Sequence, residues 1–367
     1  MIFAEINRFI KNRLIDPIDV PLFVLLSIIT AVGLITLYSA SYDSPERFTD
    51  GVRNVILAYI IMMVIANISL ESCMRYSLPL YGLAVLLLFA VFVSGEIRKG
   101  AQRWLNFGVF SFQPSEIMKI VMPLALAWFF DRYAATAPVR KFALAFLALL
   151  LPVAFILKQP DLGTAILVGV AGFSVLFFAG LPFRFIFTMA FLFLCAIPII
   201  WHNLFDYQKT RILMLLDPTS DPLGRGYHII QSTIAVGSGG LFGKGWLQGT
   251  QTHLEFLPER HTDFIFAVFS EEFGFIGNLL LILCYFMIII RAFMIAGKAK
   301  TTFSRLLAAS LGVIFFMYVF VNIGMVIGLL PVVGIPLPFI SYGGTAMITL
   351  FCAAGLLMCI QRQRSLF

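Results

Sequence analysis

Long apolar runs alternate with short polar breaks along almost the whole chain. A helix rising ~1.5 Å per residue needs about 20 apolar residues to cross ~30 Å of hydrocarbon, and runs near that length predict about ten membrane-spanning helices. They fall near 18–40, 52–69, 76–95, 114–131, 141–157, 162–180, 183–201, 264–290, 303–330 and 341–360. Pro152 is expected to kink the fifth of them. An even number of spans puts both termini on one side of the membrane.

One polar interruption is far longer than the others. Residues 202–263 form a loop of ~60 residues between the seventh and eighth spans, and connections of that size are functional or disordered. Its hydrophobic patches, Ile229-Ile230, Leu254 and Phe256-Leu257, together with its glycine punctuation, favour a folded cap over the spans.

Basic residues decide which side is which. With the N-terminus inside, the inner segments hold Arg8, Lys11, Arg13, Arg75, Arg132, Arg140, Lys141, Arg184, Arg291, Lys298, Lys300, Arg305, Arg362 and Arg364, and the short outer loops hold far fewer. The positive-inside rule then places both termini in the cytoplasm and the long loop outside. The expected fold class is an all-α polytopic membrane protein: a single membrane domain over 1–367, with 202–263 as a long extracytoplasmic loop within it. Residues 1–17 mix Glu5 and Asp16 with their cations and lead into a full-length span, which reads as a signal anchor, not a cleaved signal peptide.

Composition agrees with this class and excludes others. Of 367 residues, 60% are hydrophobic and 12% charged, which does not describe a soluble protein built around one core. The net charge of +7 is spread over many short inner loops, so no nucleic-acid-binding stripe is expected. All five cysteines lie in or beside spans and none in the long loop, so neither a disulfide framework nor a cysteine metal site follows.

Acidic residues carry more information than basic ones. None follows Glu272, while Asp206, Asp217, Asp221, Glu255, Glu259 and Asp263 gather in the long loop with all four histidines, and Glu271 and Glu272 lie just inside the next span. The glycine-rich Gly239-Gly240-Leu241-Phe242-Gly243-Lys244-Gly245 is one residue short of a phosphate loop and lacks its Ser or Thr. His253, Glu255 and His261 lack the i, i+4 spacing of a helical zinc site, so no metal site is expected there.

The polar residues within or beside spans form a pattern. Glu116 and Lys119 sit at i, i+3 at the start of the fourth span, where they can neutralise each other. Arg98, Lys99 and Arg103 cluster just before them, either to grip a phosphate or to meet anionic headgroups. Asp161 stands where an N-cap would stand, and so does Asp263. Glu271 and Glu272 lie roughly 12–13 Å beyond Asp263 on one helix, and acids at that depth suggest a wet cavity. Asn322-Ile323-Gly324 and then the proline- and glycine-rich stretch 330–344 imply a broken or re-entrant segment.

Six segments, in order and across nearly the whole chain, resemble the SEDS proteins (shape, elongation, division and sporulation). They are Arg103-Trp104-Leu105, Gln113-Pro114-Ser115-Glu116, Gln159-Pro160-Asp161-Leu162-Gly163-Thr164, and the stretches 237–245, 258–264 and 337–344. Within that family, Glu259-Arg260-His261-Thr262-Asp263-Phe264 and Gly334-Ile335-Pro336-Leu337-Pro338 look more like the elongation (RodA) branch. The division (FtsW) branch usually has a small residue at the position of Arg260.

The resemblance implies a peptidoglycan glycosyltransferase that polymerises lipid II on the outer face of the bacterial cytoplasmic membrane, with Asp263 matching an acid taken as catalytic. It also implies a class B penicillin-binding protein as transpeptidase partner and the actin-like MreB assembly on the inside. The chemistry suits the residues. Lipid II is α-linked to its diphosphate and the glycan is β-1,4 linked, so one inverting displacement suffices, with Asp263 taking the proton from the attacking hydroxyl.

The leaving diphosphate needs positive charge more than a general acid. Arg103 and Lys119 are the nearest candidates, with Arg211 and Lys244 from the long loop as outsiders. Glu116 would hold Lys119, Asp161 would orient the acceptor or the loop, and Glu259, Arg260 and His261 would contact substrate beside the base. No cofactor is required, although a divalent cation could share the charge. A lipid II flippase, a division-type polymerase and a scaffold that only recruits the transpeptidase are the alternatives.

Overall fold

A computed structural model describes residues 18–98, 101–106, 111–133, 138–203, 209–210, 213–215, 217, 225–254, 256–257 and 259–365. The expectations for residues 1–17, Lys99, Arg211 and Glu255 lie outside the described residues.

Every expected span has its helix, bounded by local chemistry. The first three are α1 (Val20–Ala40), α2 (Pro45–Ala66) and α3 (Leu70–Ser94). Then come α4 (Pro114–Arg132), α5 (Pro138–Lys158), α6 (Leu162–Phe178) and α7 (Phe183–Asn203). The long loop contributes α8 (Arg225–Ser238) and the single turn α9 (Thr250–His253). The chain closes with α10 (Ile265–Gly297), α11 (Thr302–Val326) and α12 (Gly344–Ser365).

Seven of these are long and apolar enough to cross a membrane, and α6 and α7 are apolar over shorter stretches. The remaining span, α4, carries Glu116, Lys119, Asp131 and Arg132. Helix starts follow capping rules. Asp19 accepts from Leu22 N at 3.0 Å, and Ser69 and Thr301 cap α3 and α11 in the same way. Asp19 also binds the Arg291 guanidinium at 3.0 and 2.6 Å, which ties the start of α1 to the last turns of α10.

Burial ranks the helices. The apolar windows of α11 and α12 are 72% buried and those of α2 and α3 only 22%, so α11 runs through the middle of the bundle, in contact with α4, α6, α10 and α12. Its buried polar groups find partners there. Ser310 Oγ donates to Ala171 O at 2.8 Å and Ser174 Oγ donates to Ser310 Oγ at 2.9 Å.

Two local features depart from the sequence reading, and a third follows it. Residues 96–112 contribute a small antiparallel sheet, β1 (Glu96–Arg98), β2 (Ala101–Asn106) and β3 (Ser111–Phe112), whose strands are too short to show an alternating pattern. As expected, the chain is not helical from Asn322 through to Gly344: α11 ends at Val326, with Ile327 as its C-cap and Gly328 (φ +76°) supplying the left-handed turn. The eighth span is broken at Gly274 (φ +66°, ψ −164°).

That break receives the long loop. Lys244 N donates to Glu271 O at 2.9 Å, Gly245 N to Glu272 O at 3.1 Å, Phe275 N to Gly240 O at 2.8 Å and Ile276 N to Leu241 O at 3.1 Å. The carboxylates complete the latch. Glu271 Oε1 accepts from Lys244 Nζ at 2.7 Å and from Thr250 Oγ1 and Gln251 N at 3.1 Å each. Glu272 Oε1 accepts from Leu247 N at 3.2 Å and from Ser39 Oγ on α1. Glu271 and Glu272 are 0% and 1% exposed, so they line no wet cavity. They anchor the loop, because buried carboxylates are tolerated where donors converge on them.

Within the described loop, α8 packs down on the bundle. Ile229 and Ala235 of α8 are buried, and Ser232 Oγ donates to Val326 O at 2.9 Å at the end of α11.

Gly274→Ala should unfasten this latch. A Cβ there would lie 2.2 Å from Gly243 N, on a backbone that L residues rarely adopt. We expect its melting temperature in detergent to fall by about 5 °C or more, while Gly169→Ala, where a Cβ meets nothing within 4 Å, stays at the wild-type value. Equal melting of the two variants would contradict the latch.

Candidate active site

The turn before α10 is built from its own hydrogen bonds. Glu259 adopts φ +53°, and its carbonyl accepts from Thr262 N at 3.1 Å, while Thr262 Oγ1 donates to Glu259 Oε2 at 3.0 Å. The turn delivers Asp263 half-buried at the mouth of α10. The N-cap position falls on Phe264, so capping does not account for Asp263.

Against this turn lies the chain between α11 and α12, with Ile335, Leu337, Phe339, Ile340 and Ser341 buried. Its polar groups grip the turn one carbonyl at a time. Tyr342 N donates to His261 O at 2.9 Å, Ser341 Oγ to Thr262 O at 2.7 Å, and Asn322 Nδ2, from α11, to Asp263 O at 3.0 Å. Asn322 Nδ2 also donates to Ile335 O at 2.7 Å, and Leu337 N donates to Ser341 Oγ at 2.7 Å. Gly334 (φ +74°) faces the carboxylate, and a Cβ on it would sit 3.5 Å from Asp263 Oδ2. With glycine there, no side chain stands against that oxygen from this wall.

The same segment joins Asp263 to a second polar cluster. Gly163, near the start of α6, approaches Val333 so closely that a Cβ would lie 2.9 Å from its carbonyl oxygen. Two residues earlier, Asp161 caps Thr164 N at 3.2 Å through Oδ1. Its Oδ2 accepts from Gln113 Nε2 at 3.0 Å and lies 3.7 Å from Arg103 Nε. Arg103 also donates to the carbonyls of Gln159 and Pro160, which holds β2 against the start of α6. Its side chain remains 28% exposed.

Glu116 and Lys119 form the expected pair, with a third member. Lys119 Nζ donates to Glu116 Oε1 and to Tyr318 OH, each at 2.6 Å, and Tyr318 OH lies 3.4 Å from Glu116 Oε2. Lys119 is 2% exposed, so this triad joins α4 to α11 inside the bundle.

The remaining candidates separate. Arg260 is buried. It donates to Ala40 O at 3.0 Å and Thr252 O at 2.9 Å, pairs with Asp43 at 3.1 Å and covers the Tyr42 ring. Burial raises the Asp43 carboxyl, but the hydrogen bond and charge of Arg260, with Arg47 behind it, hold it below its ordinary range. Lys244 belongs to the Glu271 latch. His261 rests edge-on against Tyr342, and burial, aided by Arg47 and Arg260, keeps its imidazole below the usual value against the pull of Glu259 and Asp43. His228 stacks on Phe264 and is lowered by burial. Among the described residues no group of three or more His, Cys, Asp or Glu converges as a metal site.

The structure thus gathers Glu259, His261 and Asp263 in one turn, sets Arg103 and Asp161 across the 331–336 segment, and places Lys119 and Glu116 within the bundle. Tyr318, Asn322, Gly334 and Ser341 had not been assigned these contacts from the sequence. One pattern points to two of them. Tyr318 and Asn322 are polar groups at i, i+4 in the otherwise apolar second half of α11, residues 311–326, and such residues face the bundle interior.

A family profile of cell cycle proteins, named for FtsW, RodA and SpoVE, matches residues 20–366. The chain is 48% identical over 346 residues to the peptidoglycan glycosyltransferase MrdB of Escherichia coli K12, covering 94% of this chain and 93% of that one. It is 37% identical to a probable peptidoglycan glycosyltransferase FtsW of Geobacter metallireducens, covering 96% and 97%. Among solved structures it resembles a chain of a peptidoglycan synthase complex that coordinates polymerization and crosslinking, with a TM-score of 0.82, 34% identity and coverage of 94% and 98%. The rod shape determining protein RodA of Thermus thermophilus superposes with a TM-score of 0.74 at 30% identity, covering 96% and 99%. A match of this extent, over a polytopic helical bundle with the expected spans, leads to one conclusion: the chain belongs to the FtsW, RodA and SpoVE family of cell cycle proteins, the SEDS proteins.

Proposed function

We propose that this protein is a peptidoglycan glycosyltransferase of the elongation type, which polymerises lipid II with Asp263 as general base. The observation that carries the reading is the setting of Asp263. Its backbone is clamped by Asn322 from a central helix, its carboxylate is not the helix cap, and its Oδ2 faces Gly334, which carries no side chain to cover it. A base must be held still and yet be reachable by the group it deprotonates.

The reaction is one displacement. The 4-hydroxyl of a GlcNAc attacks the anomeric carbon of a MurNAc, its proton passes to the Asp263 carboxylate, and the bond to the undecaprenyl diphosphate breaks with inversion from α to β. The diphosphate leaves as an anion, and Arg103 is the cation best placed to meet it, being partly exposed across the 331–336 segment from Asp263. Asp161 positions Arg103. Lys119 acts through its triad by holding α4 against α11, because both of its observed hydrogen bonds lie within the bundle. Glu259 and His261 flank the base as substrate contacts. Arg260 fixes the turn from behind, and Lys244 fixes the loop. A divalent cation taking part in the reaction would arrive on the diphosphate oxygens.

The setting of this activity is the bacterial cytoplasmic membrane, with both termini inside and the Asp263 face outside, as the distribution of basic residues favours. A class B penicillin-binding protein is the proposed partner for crosslinking, supported by the resemblance to a chain of a peptidoglycan synthase complex. An MreB-type assembly is the proposed cytoplasmic partner.

Polymerisation of purified lipid II by the full chain, co-purified with its transpeptidase partner, tests the reading. Asp263→Asn should lose roughly 100-fold or more of the rate while keeping its fold and its partner. Equal rates would remove Asp263 as base, and a wild type that moves lipid II without polymerising it would favour the flippase. Arg103→Ala should lower the rate by roughly 10-fold or more, with Arg103→Lys recovering part of it. A wild-type rate in Arg103→Ala would leave the diphosphate to another cation.

A further inference from the structure

Three successive carbonyls of the 261–263 turn accept hydrogen bonds from outside the turn, and the last, that of Asp263 itself, is bound by a side chain 59 residues away. That side chain is Asn322, which is 0% exposed in α11, a span whose apolar window is 72% buried. Its Nδ2 has two protons and two acceptors, Asp263 O at 3.0 Å and Ile335 O at 2.7 Å. Both partners are carbonyl oxygens, so only the amino side of the amide can face them, and the orientation of the group is unambiguous.

The second acceptor matters as much as the first. Ile335 follows Gly334, the residue that puts no side chain against Asp263 Oδ2. One amide therefore sets the distance between the two walls of the site, the residue bearing the carboxylate and the glycine opposite. Ser341 does the same one residue earlier, donating to Thr262 O and accepting from Leu337 N, each at 2.7 Å.

We propose that Asn322, assisted by Ser341, is a positioning residue for glycosyl transfer: it fixes the Asp263 carboxylate against Gly334 at the separation the attacking hydroxyl requires. This rests on the reading of Asp263 as base. Asn322 touches neither substrate nor reacting atoms; it acts through the backbone of the turn. Small misplacements of a reacting group lower rates far more than they weaken substrate binding.

The substitution Asn322→Asp gives a distinctive readout. An ionised carboxylate would face two carbonyl oxygens and repel both, whereas the protonated acid regains one donor. The relative activity of this variant against wild type should therefore rise as pH falls.

The test uses the full-length protein co-purified with its transpeptidase partner, measuring kcat, half-saturating lipid II and melting temperature for Asn322→Ala, Asn322→Asp, Ser341→Ala and Asp263→Asn. We expect kcat to fall by about 10- to 100-fold in the Asn322 variants, with half-saturation within about twofold of wild type. The ratio of Asn322→Asp to wild type should climb several-fold from about pH 8 to about pH 6. Wild-type kcat in a folded Asn322→Ala would overturn the proposal. Should neither Asn322 variant fold, Ser341→Ala decides: a loss in kcat at unchanged half-saturation supports the clamp, and an unchanged kcat refutes it. An active Asp263→Asn would remove the base and this inference with it, whereas an inactive Asp263→Asn beside fully active Asn322 variants would remove the positioning role alone.

Discussion

Backbone that leaves the helix among packed spans must find partners for its N–H and C=O groups inside the protein, and this constraint organises the molecule. The chain between α11 and α12 meets it by lying against the 259–264 turn, so that each supplies what the other lacks. Gly33 of α1 admits the segment at close range, since a Cβ there would lie 2.8 Å from Ile340 Cα and Phe339 O. The geometry around Asp263 is a by-product of satisfying this backbone. A rigid site costs little extra when the hydrogen bonds that build it are obligatory anyway.

The long loop solves the same problem from the other direction. Gly274 interrupts α10, and the interruption exposes carbonyls and amides that the glycine-rich turn 240–245 takes up. Glu271 and Glu272 extend the latch through their carboxylates, drawing in Lys244, Thr250, Gln251 and Leu247. The described loop is thus fastened by polar contacts at its waist and by α8 packing through Ile229 and Ala235 at its side.

Most buried charges are met by an opposite charge, while Glu272 is held by a hydroxyl and a backbone amide. Asp19 with Arg291, Glu116 with Lys119 and Tyr318, Glu271 with Lys244, and Arg260 with Asp43 and two carbonyls are each compensated, as ions withdrawn from water must be. Arg103 and Lys244 are paired and still partly exposed, at 28% and 29%, which is the state a cation must keep if it is to meet an incoming anion, and of the two only Arg103 pairs with Asp161, next to the start of α6.

Spans, helix starts and polarity were legible along the chain because they depend on local patterns: run length, the cap at Asp161, the i, i+3 spacing of Glu116 and Lys119, and the proline and glycine density after α11. Asp263 stood out from its neighbours and from the family motif. What these acids and bases touch was not legible. Lys119 meets Tyr318 across 199 positions, Arg260 meets Ala40 across 220, and Asn322 meets Asp263 across 59. Glu271 and Glu272 looked like cavity acids until the loop folded onto them, and Arg260 looked like a substrate contact although the bundle occupies it. The sequence by itself determined which segments enter the membrane and which residues can ionise, because burial period and capping act within a few turns of helix. Which ionisable groups became struts and which stayed available for chemistry was decided only by tertiary packing, because a buried charge takes its role from donors and acceptors that distant helices bring to it.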